Sequence, residues 1–158
     1  RFVDAVKILV ADGIELRVNW YGILPDYIDN HREYVHTLGL GEIVKVYEPV
    51  KGIDEVYKTA DLFCLPSLVE GFPNVLCEAI STGLLVACSN VCDNPYIVSQ
   101  IKGGVLFDPY DVKDMADKLK ELVAISEQDR AQYSAENRKI AVQIFSKQSF
   151  VEKYCELI

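Results

Sequence analysis

The chain of 158 residues carries 24 acidic and 16 basic side chains, which gives a net charge of −8. Such a surface repels phosphate backbones and anionic lipids, so we expect no nucleic-acid partner and no membrane contact, although one helix N-terminus can still bind a small anion. Half of the residues are hydrophobic, a quarter are charged, and no apolar run approaches the ~20 residues that span a bilayer, which is typical of a soluble globular domain.

The cysteines indicate the redox compartment. The chain has five cysteines, an odd number, and none of them forms a CxxC pair. They are Cys64, Cys77, Cys88, Cys92 and Cys155. Cys64 and Cys88 lie in apolar runs, so we interpret them as small core residues in a reducing compartment. The first residues show no secretory signal, and together with the reduced cysteines this absence predicts a cytoplasmic location. A metal site at Cys88 and Cys92 is the alternative, but no second Cys or His pair accompanies it, and we expect no metal.

The first third of the chain alternates between helical and extended patterns. Helices are predicted over 2–10, 27–38 and 54–59, and strands over 16–20 and 43–47. Gly13 and Gly39 are placed to end the first two helices, as glycine commonly does.

The rest of the chain continues the alternation and then becomes helical. Strands are predicted over 62–65, 84–88 and 104–107, with a helix over 73–82 that Gly83 ends, and a helical pattern from Asp111 onward that breaks near Ser126 and between Ser146 and Ser149. The continuous apolar run 62–65 is typical of a strand buried on both faces of a parallel sheet. We therefore predict one α/β domain over 1–158, a Rossmann-like open parallel sheet with helices on both faces, closed by the C-terminal helices.

The most informative segment is 60–98, where a strand ends at Pro66 and a loop leads into the helix predicted to begin at Pro73. Proline is tolerated in a first helical turn. Ligands of open α/β sheets bind beyond the carboxyl ends of the strands, so this loop and helix start are where a ligand is expected.

The helix over 73–82 has two predicted faces. The apolar face, expected to pack on the sheet, comprises Val75, Leu76, Ala79, Ile80 and Gly83. The other face comprises Asn74, Cys77, Glu78 and Ser81. Glu78 then lies one turn into the helix and Glu70 in the loop before it, so the two carboxylates flank N–H groups that can bind a diphosphate. The competing interpretations are a simple helix-dipole partner with a solvated loop Glu, or a general acid and base pair as in a glycosidase.

The motif of this segment resembles that of family 4 retaining glycosyltransferases, which have the GT-B fold. The matching residues are Pro66, Ser67, Glu70, Gly71, Phe72, Pro73, Glu78, Gly83 and the strand end Val86-Ala87-Cys88-Ser89. The resemblance extends more weakly over nearly the whole chain. It implies one half of a GT-B fold, the part that binds a nucleotide-sugar donor.

The resemblance also implies roles for individual residues. Glu70 would lie near the donor sugar as the catalytic residue, and Glu78 would bind the ribose hydroxyls. Backbone groups of the segment Gly71, Phe72, Pro73, Asn74, Val75 and Leu76 would hold the sugar hydroxyls and the diphosphate. Pro49 and Val50 would form part of the base pocket, with a plain strand-to-helix turn as the alternative. The donor would be a UDP-, GDP- or ADP-sugar, and transfer would retain configuration without a cofactor or metal.

The family pattern also contains features that this sequence lacks. Relatives open the domain with a strand ending in Gly-Arg, followed by a Lys, and these cations neutralise the departing diphosphate. Arg1 does not match that Arg, and Lys51 is either a substitute or a solvated loop lysine. We therefore expect either that the longer protein supplies this central strand upstream or that the fold is rearranged. We also expect the chain, without the N-terminal acceptor-binding domain, to be inactive in isolation. Further departures affect donor identity: Leu24, Leu85, Cys92, Asp93 and Tyr96.

Three other functions compete with this hypothesis. A non-catalytic module that binds a nucleotide or nucleotide-sugar shares every feature above. A nicotinamide oxidoreductase needs a GxGxxG turn after a strand, and Gly22 and Gly52 stand alone. A protein-interaction domain predicts an exposed apolar patch and no pocket near Glu70.

Overall fold

The computed structural model describes residues 1–146, 148, 149, 151 and 155. The chain divides into two compact units, Arg1–Ile53 and Asp54–Ile158. Both are α/β, and every strand pair within them is parallel. The parallel pairing that the alternating patterns predict is confirmed.

The first unit contains two helices and two strands. In chain order they are α1 (Phe2–Ala11), β1 (Val18–Trp20), α2 (Pro25–Thr37) and β2 (Val44–Val46). β1 pairs with β2, and the buried side chains Val6, Val35 and Val44 contribute to one apolar core. Gly39 follows α2 with a φ of 74°, the left-handed conformation that glycine adopts without strain.

The second unit contains the remaining elements, the first of which begins at the boundary. They are α3 (Ile53–Tyr57), β3 (Leu62–Leu65), α4 (Asn74–Thr82), β4 (Leu85–Ser89), α5 (Asn94–Val98), β5 (Gly104–Phe107), α6 (Val112–Val123) and α7 (Glu127–Phe145). The sequence did not predict α5, a helix of five residues. The predicted breaks near Ser126 and at Ser146 agree with the ends of α6 and α7, and most of the chain beyond Ser146 lies outside the described residues.

The three strands of the second unit form a parallel sheet in the order β3-β4-β5. Central β4 is buried along its length, whereas all four residues of β3 are only half-buried. β3 is therefore less buried than its continuous apolar run predicts. Within the described residues β3 pairs with β4 alone, so one edge of β3 has no neighbouring strand to cover it. Cys64 is half-buried with β3, and Cys88 in β4 is fully buried.

Helix α4 differs from its prediction at its start and in its buried face. Pro73 precedes the helix as its N-cap residue rather than occupying the first turn. Val75 is 39% exposed and Cys77 only 7% exposed, so the predicted faces of these two residues were wrong. The buried face comprises Leu76, Cys77, Ala79 and Ile80, a stripe rotated by about one position. Burial, then the negative charge of Glu78, raises the pKa of the Cys77 thiol to about 11.

Helix α7 is anchored through one buried amide. Asn137 is fully buried; its Nδ2 donates to the carbonyl of Lys102 at 2.7 Å, and its Oδ1 accepts from the N–H of Lys102 at 2.9 Å. Because both polar atoms are satisfied, the hydrogen bonds offset the cost of burying the amide, which fixes α7 against the turn that precedes β5. Among the helices of the described residues, none is both long enough and apolar enough to cross a bilayer.

Candidate functional site

The carboxyl ends of the three strands in the second unit are tied together by polar contacts. Ser89 Oγ donates to the carbonyl of Leu65 at 3.3 Å, which links the ends of β4 and β3. Asn94 Nδ2 donates to the carbonyl of Ser89 at 2.9 Å, and the Asn90 N–H donates to the carbonyl of Phe107 at 2.8 Å. The structure thus fixes the edge from which the loop 66–73 emerges. Sequence reasoning missed Ser89 and Asn94 as positioning groups, since neither belongs to a periodic pattern.

The loop 66–73 carries the predicted catalytic carboxylate. Glu70 is half-buried, Gly71 and Phe72 are exposed, and Pro73 is buried at the helix start. Gly71 has no positive φ, and a Cβ built there meets nothing within 4 Å. Neither backbone strain nor packing within the chain therefore requires a glycine at this position, and the space above it is open.

The start of α4 has backbone donors without partners. No side chain caps this helix, as is also the case for α1, α2 and α5, whereas Asp111 caps α6 and Ser126 caps α7. Within the described residues, the N–H groups of Gly71, Phe72 and Val75 have no hydrogen-bond acceptor. Such groups at a helix start are suited to an anion.

Two of the expected donors are already used within the chain. The N–H of Asn74 donates to the carbonyl of Phe72 at 3.0 Å, and that of Leu76 donates to the carbonyl of Pro73 at 3.0 Å. Fewer backbone N–H groups at this helix start are therefore open to a ligand than we expected from the sequence for the segment 72–76. They centre on Val75 and the loop residues before it.

Glu78 lies on the exposed side of α4, one turn into the helix, where it has a single side-chain partner among the described residues of the second unit. Tyr57 Oη donates to Glu78 Oε2 at 3.4 Å. Tyr57 itself is buried, and its ring packs edge-on against Phe63 with centroids 5.8 Å apart. Burial, then the charge of Glu78, raises the pKa of Tyr57 to about 12. Sequence reasoning missed Tyr57, which stands 21 residues from Glu78 in a helix of five residues.

The predicted site residues fall into two groups. Glu70 to Leu76 and Glu78 form one continuous loop and helix start in the second unit. Pro49 and Val50 belong to the first unit, where both are exposed just beyond β2. Their assignment to a base pocket stays a prediction.

The loop after β4 has an unusual backbone. Cys92 is the non-glycine residue with positive φ in the described part of the chain, at 49°. The family resemblance expects Gly-Gly in this loop, and the left-handed backbone at Cys92 fits a glycine preference. Cys92 is exposed and Cys88 is buried, and among the described residues no group of three or more His, Cys, Asp or Glu side chains could hold a metal ion.

A concavity of about 570 Å³ lies at the opposite, amino end of β3 and β4. Its lining includes Asp61, Gly83, Arg130 and Ser134, and Arg130 forms an ion pair with Asp61 at 3.4 Å. The charges that line this concavity have both signs, and the adjacent start of α7 is already capped by Ser126. It therefore offers a ligand charges of mixed sign and a capped helix start, unlike the uncapped start of α4 at the carboxyl end.

The sequence pattern of the family described as Glycosyl transferases group 1 matches residues 1–140. The chain belongs to this family. A relative within it is the D-inositol 3-phosphate glycosyltransferase of Paenarthrobacter aurescens, 30% identical over 126 residues, which are 77% of this chain and 31% of the relative. The chain spans 17% to 40% of the length of the curated relatives it matches.

Solved structures share the fold. The C-terminal domain of the group 1 protein LpcC from Francisella tularensis matches with a TM-score of 0.75 at 19% identity, covering 92% of this chain and 78% of that domain. Anabaena Alr3699/HepE, in complex with UDP and glucose, matches with a TM-score of 0.83 at 21% identity, covering 99% of this chain and 43% of that protein. These likenesses show the fold: Rossmann-like α/β, one half of a GT-B glycosyltransferase.

Proposed function

We propose that this chain is the donor-binding part of a retaining glycosyltransferase that transfers a sugar from a nucleoside-diphosphate sugar to an acceptor hydroxyl. The observation that carries the proposal is the start of α4. It has no side-chain cap, it stands at the carboxyl end of β3, and Glu70 and Glu78 lie on either side of it in sequence. Backbone donors and a helix dipole favour a diphosphate between two carboxylates that accept from hydroxyls.

In the proposed chemistry, each part of the donor contacts residues at or next to the start of α4. The N–H groups of Val75, Phe72 and Gly71 would stabilise the diphosphate as it leaves with its negative charge. Glu78, one turn further into α4, would accept from the ribose hydroxyls, and Glu70 would face the donor sugar. The open space above Gly71 supports this arrangement, because a ligand can approach the backbone there.

We do not propose that the described residues bind the acceptor. Because the chain spans 40% or less of the curated relatives it matches, we propose that a further domain binds the acceptor and that these 158 residues alone do not transfer sugar. Positioning of acceptor against donor and preorganised cations are each worth orders of magnitude in rate. We propose that the longer protein supplies both the positioning of the acceptor and the preorganised cations.

Binding of the donor tests the proposal. In the full-length protein, Glu78→Ala should weaken binding of the preferred UDP-, GDP- or ADP-sugar by about 1–3 kcal/mol, the scale of lost charge-assisted hydrogen bonds. Titration calorimetry measures this directly. Because no metal is proposed to bridge the diphosphate, the affinity should be the same with and without EDTA.

Glu127→Ala is the matched control, since Glu127 is likewise a glutamate near the start of a helix but lies beside the amino end of the strands. It should leave donor affinity unchanged. Unchanged affinity in Glu78→Ala, or binding that EDTA abolishes and Mg²⁺ restores, would contradict the proposal.

A further inference from the structure

Glu78 needs a defined orientation for the role proposed above. It is exposed on α4, and a glutamate side chain in solvent samples many rotamers. A carboxylate that must accept from two adjacent hydroxyls loses affinity if it first has to be ordered. A contact that holds Glu78 in place therefore has a measurable consequence.

Tyr57 is the residue that makes this contact within the second unit. Its hydroxyl donates to Glu78 Oε2 at 3.4 Å, while the other carboxylate oxygen, Glu78 Oε1, has no donor among the described residues and can accept from a ligand. The ring is only 6% exposed and packs against Phe63 of β3, so the hydroxyl is presented from a fixed position rather than from a mobile side chain.

The raised pKa of Tyr57 keeps its hydroxyl in the protonated form, which can donate a hydrogen bond. Burial, then the adjacent charge of Glu78, raises the pKa of Tyr57 to about 12. The hydroxyl hence keeps its proton throughout the physiological range and remains able to donate to the carboxylate.

We propose that Tyr57 is a positioning residue for Glu78, holding one carboxylate oxygen so that the other faces the ribose hydroxyls of the donor. This inference rests on the proposed function of Glu78. Tyr57 itself does not touch the nucleotide, so its contribution passes entirely through Glu78.

The test is the affinity of the full-length protein for UDP, GDP and ADP, each compared with its 2′-deoxy counterpart. Tyr57→Phe removes one oxygen and leaves the ring to pack on Phe63. Since the 3.4 Å contact is long, we expect the best-bound ribonucleotide to bind about threefold to tenfold more weakly. Binding of its 2′-deoxy form, which keeps only the 3′-hydroxyl as a donor to Glu78, should weaken less, so the preference for ribose falls.

Tyr34→Phe is the matched control. The Tyr34 hydroxyl also donates to a carboxylate, Asp4 Oδ1, at 2.7 Å, but within the first unit. It should change neither affinity nor the preference for ribose. A loss of general stability would lower binding of both nucleotides alike, so the ribose preference separates positioning from a merely structural role.

The double variant Tyr57→Phe/Glu78→Ala completes the test. If Tyr57 acts through Glu78, the double variant binds as Glu78→Ala does. An equal loss from Tyr57→Phe in both backgrounds, an equal loss for both nucleotides, or no loss would overturn the inference while leaving the role of Glu78 intact. If Glu78→Ala alone leaves affinity and ribose preference unchanged, the proposed function of Glu78 fails and the inference fails with it.

Discussion

Glu70→Ala should lower the transfer rate of the full-length enzyme by about 10²–10³-fold, the scale reported when one group that stabilises transition-state charge is removed. The physical reason is its place in the loop between β3 and α4, half-buried and one residue before the open space at Gly71. A carboxylate there would face the sugar carbon on which positive charge develops as the diphosphate leaves. Donor binding should change far less, because charge on that carbon exists only in the transition state.

Two variants make this result specific. Glu70→Gln keeps the volume and the hydrogen-bonding capacity but not the charge, and should remain close to Glu70→Ala in rate. Glu127→Ala, the carboxylate at the amino end of the strands, should leave the rate unchanged. The measurement is release of nucleoside diphosphate in the presence of acceptor. A Glu70→Ala enzyme that retains a third or more of the wild-type rate would show that Glu70 has no catalytic role.

Gly83→Ala should destabilise the second unit by about 2–4 kcal/mol. Gly83 ends α4 with a φ of 90°, and left-handed backbone costs a residue with a Cβ roughly 1 kcal/mol. The new Cβ would also collide with Ser134 Oγ and stand 3.2 Å from the Ser134 carbonyl oxygen, so α7 must shift. Forcing extra volume into such a contact costs a further ~1–3 kcal/mol.

Gly39→Ala separates these two costs. Gly39 has a φ of 74° at the end of α2, but a Cβ there meets nothing within 4 Å. Urea unfolding followed by circular dichroism should show a loss of only about 1 kcal/mol for Gly39→Ala. Equal losses in the two variants would mean that the contact between Gly83 and α7 contributes nothing to stability.

The fold was largely accessible from the sequence because its signals are local. Apolar runs gave the strands and glycines marked the helix ends, and Gly39 and Gly83 both have the left-handed backbone expected there. The burial of β3 was mispredicted because four apolar residues look alike whether the strand has one neighbour or two. The face of α4 was mispredicted by about one position, since Cys77 is apolar enough for either side.

The site was predictable as a segment but not as a set of contacts. The order of Glu70, Gly71 and Pro73 before a helix identifies the loop, because those residues are adjacent in sequence. The contact of Tyr57 with Glu78 joins two helices, and only tertiary structure reveals it. Likewise, which N–H groups remain open at α4 depends on the turn at Phe72 and Pro73, which composition does not specify.

The most direct test of the central claim is a crystal structure of the full-length protein with its preferred nucleoside diphosphate bound. The account predicts a diphosphate oxygen about 3 Å from the N–H of Val75, with a ribose hydroxyl donating to the carboxylate of Glu78. A nucleotide bound instead in the concavity at the amino end of the strands, against Arg130 and Asp61, would contradict it.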